Sequence, residues 1–153
     1  VVANCLFRLS TQAAHGGVHN VDNWWITVYG CTFHDMLFGI RMSGSASTLR
    51  RISIVNNLFR NQTAASVDTN IRLAGTNGQD ILIDGCTFTT PVGTAGDAKM
   101  INIVDAMTGT ICNCSFPIDT VEGTTGITDN GLSQVNNNQA MWGADTGPGG
   151  RVA

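Results

Sequence analysis

The sequence predicts an all-β repeat fold, a single-stranded parallel β-helix of about five coils with 26–29 residues each. The first observation is a motif that occurs five times and always ends in Phe, in Val2–Phe7, Val28–Phe33, Ile54–Phe59, Ile83–Phe88 and Ile111–Phe116. The Phe residues are 26, 26, 29 and 28 positions apart, and such a period is typical of stacked repeats. The second observation is that no long segment with helical periodicity joins the copies, which argues against the helical solenoids of similar period. Leucine-rich repeats are excluded because Leu does not recur at the fixed positions that they need.

Each copy of the motif predicts a short strand followed by a tight corner. Before the corner, aliphatic residues such as Ile26 and Val28 alternate with a polar residue such as Thr27, which is the period of a strand with one buried face. Asn or Gly follows in every copy, and both residues tolerate the left-handed backbone that a tight bend needs.

A second apolar pair after the corner predicts another strand, so each repeat contains two or three short strands. In the middle repeats these pairs are Ile40 with Met42, Ile71 with Leu73, and Ile101 with Ile103. The distance from the Phe to the pair varies from 7 residues after Phe33 to 13 residues after Phe88. Because the spacing varies on this side only, we expect loops to project from one flank of the stack.

Equivalent positions of successive repeats are expected to form rows along the stack, about 4.8 Å apart. The row of Phe residues predicts a stacked aromatic core. An inward ladder of free thiols is the favoured interpretation of the row two positions earlier, and disulfides or metal ligation are the alternatives. An odd number of cysteines, five, favours folding in a reducing compartment. The members of this second row are Cys5, Cys31, Asn57, Cys86 and Cys114.

Two repeats carry a resemblance to a known group of proteins. Residues Ile52–Phe59 and Ile81–Phe88 read Ile-x-Ile-x-Asn-Asn-x-Phe and Ile-x-Ile-x-Gly-Cys-x-Phe. These strings resemble the repeats of right-handed parallel β-helix proteins, the pectate-lyase-like superfamily, and the similarity covers residues 1–131. The superfamily includes polysaccharide lyases and hydrolases, bacterial adhesins, and bacteriophage tailspikes and fibres, so the resemblance implies a fold rather than one function. Residues 132–153 lose the period and are expected to form a C-terminal strap or subunit-contact arm.

The outward rows contain the candidate binding or interface residues. If the register holds, Trp24 lies beside Arg50 and Trp25 lies beside Arg51, within reach of a cation–π contact. Exposed Trp beside Arg fits a subunit or partner interface or a glycan-binding patch, and packing under the turn is the alternative. Further candidates are the adjacent outward residues Arg41 and Arg72, Trp142 in the arm, and a partly cationic row of Arg8, His34, Arg60, Thr89 and Pro117.

The acidic residues do not form an obvious catalytic group. Glycoside hydrolysis needs two carboxylates roughly 5–9.5 Å apart, and calcium-assisted elimination needs several around the cation. When the acidic residues are assigned to the rows of the repeat, they fall in different rows. The neighbours His34 and Asp35 are expected to point to opposite faces of their strand. Asp119 and Glu122 are the remaining catalytic candidates. The sequence therefore favours a role without chemistry, cofactor or metal, although a site shared between subunits stays open.

The composition narrows the function further. A net charge of −3 argues against a sequence-independent nucleic-acid binder, and no apolar run approaches the roughly 18 residues of a membrane span. We expect a structural domain of a viral, bacteriophage particle, such as a tail fibre, tailspike or capsid decoration, that serves attachment or assembly. Assembly in the host cytoplasm before action in the virion is consistent with free thiols. The expected partners are two further copies in a homotrimer, other virion proteins and a host surface glycan. The alternatives are a polysaccharide lyase or hydrolase of the pectate-lyase-like group, and an extracellular bacterial adhesin or filament subunit.

Overall fold

The structure is a computed structural model that describes residues 1–10, 16–21, 24–36, 38–44, 49–60, 69–75, 78–89, 99–105, 107–116, 125–128, 134–136 and 139–140. Every regular element in these ranges is a β-strand. The strands are β1 (Val2–Ala3), β2 (Leu6–Ser10), β3 (Gly16–Val21), β4 (Trp24–Tyr29), β5 (Thr32–Met36), β6 (Phe38–Ser43), β7 (Arg50–Val55), β8 (Leu58–Arg60), β9 (Thr69–Ala74), β10 (Gly78–Asp84), β11 (Thr87–Phe88), β12 (Lys99–Ile103), β13 (Met107–Cys112), β14 (Ser115–Phe116), β15 (Thr125–Thr128), β16 (Gln134–Asn136) and β17 (Gln139–Ala140). No helix among the described residues is long and apolar enough to cross a membrane.

The strands form three sheets, and the pairings between the described strands are all parallel. Sheet A has the order β1-β4-β7-β10-β13-β16, sheet B contains β2-β5-β8-β11-β14-β17, and sheet C contains β3-β6-β9-β12-β15. Each strand from β1 to β14 therefore pairs with the strand three places later in the chain. This progression of the chain through sheets A, B and C is compatible with a parallel β-helix.

The register of the strands follows the predicted alignment of the motif. Phe7 lies opposite Phe33, Phe33 opposite Phe59, and Phe59 opposite Phe88. The rings of these residues and of Phe116 stack with centroids 4.9–5.0 Å apart and interplanar angles of 3–8°. The aromatic core row is thus confirmed, and it runs through the interior beside the inward aliphatic residues of sheets A and C.

The corner between sheets A and B has the predicted left-handed backbone. Asn and Gly alternate along this column of positive φ values, which lie between 52° and 62°: Asn4, Gly30, Asn56, Gly85 and Asn113. A Cβ added to Gly30 would come 2.6 Å from the side-chain oxygen of Asn4, so the Asn of one repeat fills the space above the Gly of the next. The alternation of Asn and Gly therefore suits both the left-handed backbone and the limited space between stacked corners.

The row that follows this corner is buried in the middle of the stack. Cys31, Cys86 and Cys114 are at most 1% exposed, as is Asn57, whereas Cys5 is exposed. All five cysteines are free. The inward position of the thiol row is confirmed for its buried members.

The predicted C-terminal arm is described only in part. Within it, β16 continues sheet A beside β13, and β17 continues sheet B beside β14. The remainder of residues 132–153, including Trp142, lies outside the described residues.

Candidate functional site

A surface pocket of about 330 Å³ lies on sheet A, near the N-terminal ends of three adjacent strands. Strands β4, β7 and β10 each contribute two consecutive residues to it. We refer to this site as the Trp–Arg pocket, and its lining residues are Trp24, Trp25, Arg50, Arg51, Gln79 and Asp80.

Left-handed backbone explains why both residues of each pair face outward. The φ angle is 64° at Trp25, 53° at Arg51 and 57° at Asp80. In a regular strand, one side chain of each pair would point into the core. The extra left-handed residue lets both side chains reach the surface, while the next residues in β4 and β7, Ile26 and Ile52, stay opposite each other in register.

This left-handed column ends at β13. Gly78 lies opposite Met107 and Ile81 lies opposite Gly109, so two residues of β10 stand where β13 has one. The column in sheet A thus covers the three strands that line the pocket. Asp tolerates left-handed backbone, whereas residues such as Trp and Arg in this conformation cost about 1–3 kcal/mol each and cluster at functional sites. The strained backbone at Trp25 and Arg51 therefore marks the pocket as a candidate site.

The aromatic and cationic side chains of the pocket are stacked in pairs. The guanidinium carbon of Arg50 lies 5.3 Å from the ring centroid of Trp24, and that of Arg51 lies 4.7 Å from Trp25. Each such contact contributes about 0.5–1 kcal/mol at an exposed site. The indoles nevertheless stay 63% and 73% exposed, so much of their apolar surface faces solvent.

The polar groups of the pocket have unused bonding capacity. The Nε atom of Arg50 is buried and has no hydrogen-bond partner among the described residues. A guanidinium that stacks through its face keeps its N–H groups at the edge, where they can donate to an anion. The side chains of Gln79 and Asp80 are exposed beside the two arginines. Together, these groups offer apolar faces, two cations, one anion and one amide within a small volume.

Two further rows of basic residues lie on the other sheets. In sheet B, Arg8 is opposite His34, and His34 is opposite Arg60. In sheet C, the structure brings the two predicted arginines together, because Arg41 lies opposite Arg72. His19 precedes them in this row, and the guanidinium of Arg41 stacks on Phe38 at 5.3 Å. Neither row contributes a residue to the Trp–Arg pocket.

The expectation that His34 and Asp35 point to opposite faces is wrong. The Nδ1 atom of His34 lies 2.8 Å from Oδ2 of Asp35. Asp35 has a φ angle of 55°, so the alternation of side chains breaks at this residue and both side chains reach the same side. The two are about one fifth exposed, and they form an ion pair when the imidazole is protonated.

The described acids do not converge on one point. Asp84 accepts a hydrogen bond of 2.8 Å from Nδ2 of Asn113, and Asp105 accepts one of 2.8 Å from the backbone N–H of Gly75. Asp80 is four residues from Asp84 in β10, which is about 13 Å along a strand and beyond the separation that glycoside hydrolysis uses. The described part of the chain holds no group of three potential metal ligands. The catalytic candidates Asp119 and Glu122 lie outside the described residues.

The pKa values of three cysteines near the end of the stack are shifted, and the shift at Cys86 is downward because of its hydrogen bond with Cys114. The hydrogen-bonded thiol of Cys86, together with burial, raises the pKa of Cys114 above its ordinary value. The Sγ atom of Cys114 also lies 3.3 Å from the backbone oxygen of Cys112, to which it donates a hydrogen bond. Burial and the carboxylate of Asp84 raise the pKa of Cys112. The raised pKa values keep the thiols of Cys112 and Cys114 protonated, as expected of structural cysteines.

The comparisons with known proteins give no family for the chain. No protein-family model matches the sequence, no curated protein matches it, and no solved structure matches the fold.

The left-handed column is the feature of the site that sequence reasoning missed. Its signal is the pair of consecutive large or polar residues before each inward Ile, as in Trp24-Trp25 before Ile26 and Arg50-Arg51 before Ile52. Strict alternation would bury one member of each pair, and Arg is rarely buried without a partner. Two outward residues in a row thus indicate an inserted left-handed residue.

Proposed function

We propose that the chain is a right-handed parallel β-helix domain of the pectate-lyase-like type, with about five coils, in a bacteriophage particle. Its place there is a tail fibre, tailspike or capsid decoration, and its role is attachment or assembly. In this proposal, three copies associate and contact other virion proteins or a host surface glycan. The particle assembles in the host cytoplasm, where five free thiols stay reduced.

The Trp–Arg pocket is the observation that supports a contact role. Two Trp side chains that are more than half exposed are unusual on a surface that serves no contact, since aromatic and Arg side chains are enriched at binding sites. The pocket is also held in place by its backbone, because three parallel strands carry it in register. A site on paired strands keeps its geometry when it binds, which lowers the entropy cost of association.

The rest of the stack supports a scaffold role. The Phe row and the inward aliphatic residues form one continuous column, so each repeat is stabilised by its neighbours. Such a column deforms little because its interior is close-packed and of low compressibility, and it presents surface residues at a fixed spacing of about 4.8 Å. Attachment structures need this combination of rigidity and a repeated surface.

The proposal is tested on the virus whose genome encodes the full-length chain. The chain is expected in purified particles by mass spectrometry. Trp24→Ala with Trp25→Ala is expected to lower host adsorption or the yield of particles. Tyr29→Ala is the matched control, because Tyr29 is another exposed aromatic residue on β4, outside the pocket.

The outcomes separate the two roles. Normal particles that adsorb poorly identify attachment, and a loss of particles with folded free chain identifies assembly. If the chain is absent from particles, or if both Trp variants assemble and adsorb like the Tyr29→Ala control, the proposed function is wrong.

A further inference from the structure

We propose that the Trp–Arg pocket binds a saccharide that carries a carboxylate, through one or two sugar rings. This inference rests on the proposed function in that it names the ligand of the proposed contact site. An acidic sugar fits the Trp–Arg pocket better than a protein partner does, because of the size, the charge and the surface chemistry of the pocket.

The size of the pocket favours a small ligand. Its volume of about 330 Å³ is at the lower end of small-molecule sites, which span about 300–1,000 Å³. A stable protein interface instead buries about 800 Å² on each partner and uses about 20–30 residues a side. Six residues on three strands are too few for such an interface by themselves.

The indoles provide the surface for the sugar ring. One face of a pyranose presents several C–H groups, which carry partial positive charge. The face of an indole carries the negative part of its quadrupole, so ring and indole attract each other when they stack. Trp24 and Trp25 are 63% and 73% exposed and follow one another on β4, which gives two such surfaces side by side.

The arginines select the charge of the ligand. Arg50 and Arg51 bring two positive charges to the pocket and Asp80 brings one negative charge, so the lining residues have a net charge of +1. The guanidinium carbons lie 5.3 and 4.7 Å from the Trp centroids, and a guanidinium that contacts an indole in this way has five N–H donors, more than one contact uses, so it can also bind a carboxylate. Arg51 is exposed and Arg50 is half-buried, so the N–H groups of Arg51 are the more accessible donors.

Gln79 and Asp80 complete the match with sugar hydroxyl groups. The Asp80 carboxylate accepts hydrogen bonds only, whereas the Gln79 amide both donates and accepts. A sugar hydroxyl also does both, so these side chains can bind neighbouring hydroxyl groups on the ring. Both are exposed on β10, on the far side of the arginines from the Trp pair.

The experiment compares two ligands that differ only in charge. Methyl glucuronide and methyl glucoside share the same ring, and the first has a carboxylate where the second has a hydroxymethyl group. Each is titrated into the full chain, and binding is followed through the indole N–H signals of Trp24 and Trp25 in nitrogen–proton correlation spectra. We expect the acidic sugar to bind about tenfold more tightly, because hydrogen bonds to a charged group are roughly twice as strong as neutral ones. Acetate, which has the carboxylate without the ring, is expected to bind weakly.

Variants of the chain identify the groups that select the charge. Arg50→Gln with Arg51→Gln is expected to remove the preference for the acidic sugar and to leave the neutral sugar almost unchanged. Arg60→Gln is the matched control, since Arg60 is exposed in the same repeat but lies on sheet B. A circular dichroism spectrum equal to that of the unmodified chain shows that each variant is folded.

Several results would overturn the inference. These are equal binding of both sugars, no shift of either indole signal, binding of acetate as strong as that of the acidic sugar, or an equal loss in the Arg60→Gln control. If a virion protein instead binds the Trp–Arg pocket and neither sugar does, the acidic ligand is wrong while the proposed contact role stands. If the acidic sugar binds but the Trp variants adsorb and assemble normally, the inference stands and the proposed function fails.

Discussion

The side-chain oxygen of Asn57 accepts a hydrogen bond of 2.9 Å from the backbone N–H of Cys31, 26 residues earlier in the chain. The side-chain nitrogen of Asn57 donates to the backbone oxygens of Val28 and Val55, at 2.9 and 3.1 Å. Asn57 is 1% exposed and stands in a row of thiols. It therefore links two repeats through their main chains, a contact that a thiol, with its weak donor and acceptor, makes less well.

Replacing Asn57 with Ala is expected to destabilise the fold by about 2–4 kcal/mol. The reason is that the N–H of Cys31 loses its partner inside the stack, and each unsatisfied buried group costs about 1–3 kcal/mol. The measurement is the free energy of unfolding from urea titration. Asn102→Ala, a half-buried outward position on sheet C, is the control and is expected to change stability by less than about 0.5 kcal/mol. Equal effects at both positions would contradict the role assigned to Asn57.

The Phe row predicts that stability depends on position within the stack. Phe59 is fully buried and stacks on Phe33 and on Phe88, so Phe59→Ala is expected to cost about 3–5 kcal/mol. Phe7 is half-buried and stacks only on Phe33 among the described residues. Phe7→Ala should therefore cost clearly less, and the two midpoints in urea provide the comparison. If Phe7→Ala costs as much as Phe59→Ala, the stacking on two sides does not add stability.

The sequence was sufficient to predict these rows, because stacking makes position in the repeat equivalent to position in space. Once the five Phe residues are aligned, the neighbours of Asn57 and the pairing of Trp24 with Arg50 follow from the period. Sheet B was harder to predict, because strands such as β11, with only Thr87 and Phe88, are too short to show an alternation.

The left-handed residues could not be predicted from alternation. At Asp35 and Trp25 the backbone changes sign of φ, so strict alternation no longer tells which side chain faces outward. Neither residue is Asn or Gly, the types that mark left-handed positions at the corners. The contact between His34 and Asp35 thus appeared only with the structure.

Replacing Gly39 with Ala is expected to destabilise the fold by about 1–3 kcal/mol, the usual cost of overpacking. The new Cβ would lie 2.5 Å from Cε1 of Phe59 and 2.9 Å from the backbone oxygen of Asn70. Phe59→Leu in the same chain removes the ring from this contact. The loss in the double variant is therefore expected to be smaller than the sum of the two single losses. Additive losses would show that the ring of Phe59 is not what excludes a side chain at residue 39.

The raised pKa of Cys114 predicts that stability falls in alkaline solution. The hydrogen-bonded thiol of Cys86 and burial keep Cys114 protonated in the folded state, whereas the unfolded chain releases this proton near pH 9. The contribution of the protonated Cys114 thiol to the free energy of unfolding is fully present below that pH. Above it the unfolded state binds one proton fewer, so the free energy of unfolding decreases by up to about 1.4 kcal/mol per pH unit. Urea titrations in reducing buffer at increasing pH measure this slope.

Cys114→Ser removes the titrating group and is expected to reduce the slope above about pH 9 by up to that amount. The serine hydroxyl can still donate to the oxygen of Cys112, which the thiol contacts at 3.3 Å. Cys5→Ser is the matched control: Cys5 occupies the same row but is exposed, so its variant should keep the slope of the unmodified chain. Groups that do not contact Cys114 titrate equally in all three chains and cancel in the comparison, whereas Cys86, whose pKa is lowered by the hydrogen bond with Cys114, titrates together with it and belongs to the measured difference. If the Cys114→Ser and Cys5→Ser variants show the same slope, the Cys114 thiol does not stay protonated in the fold, and the buried row does not limit alkaline stability.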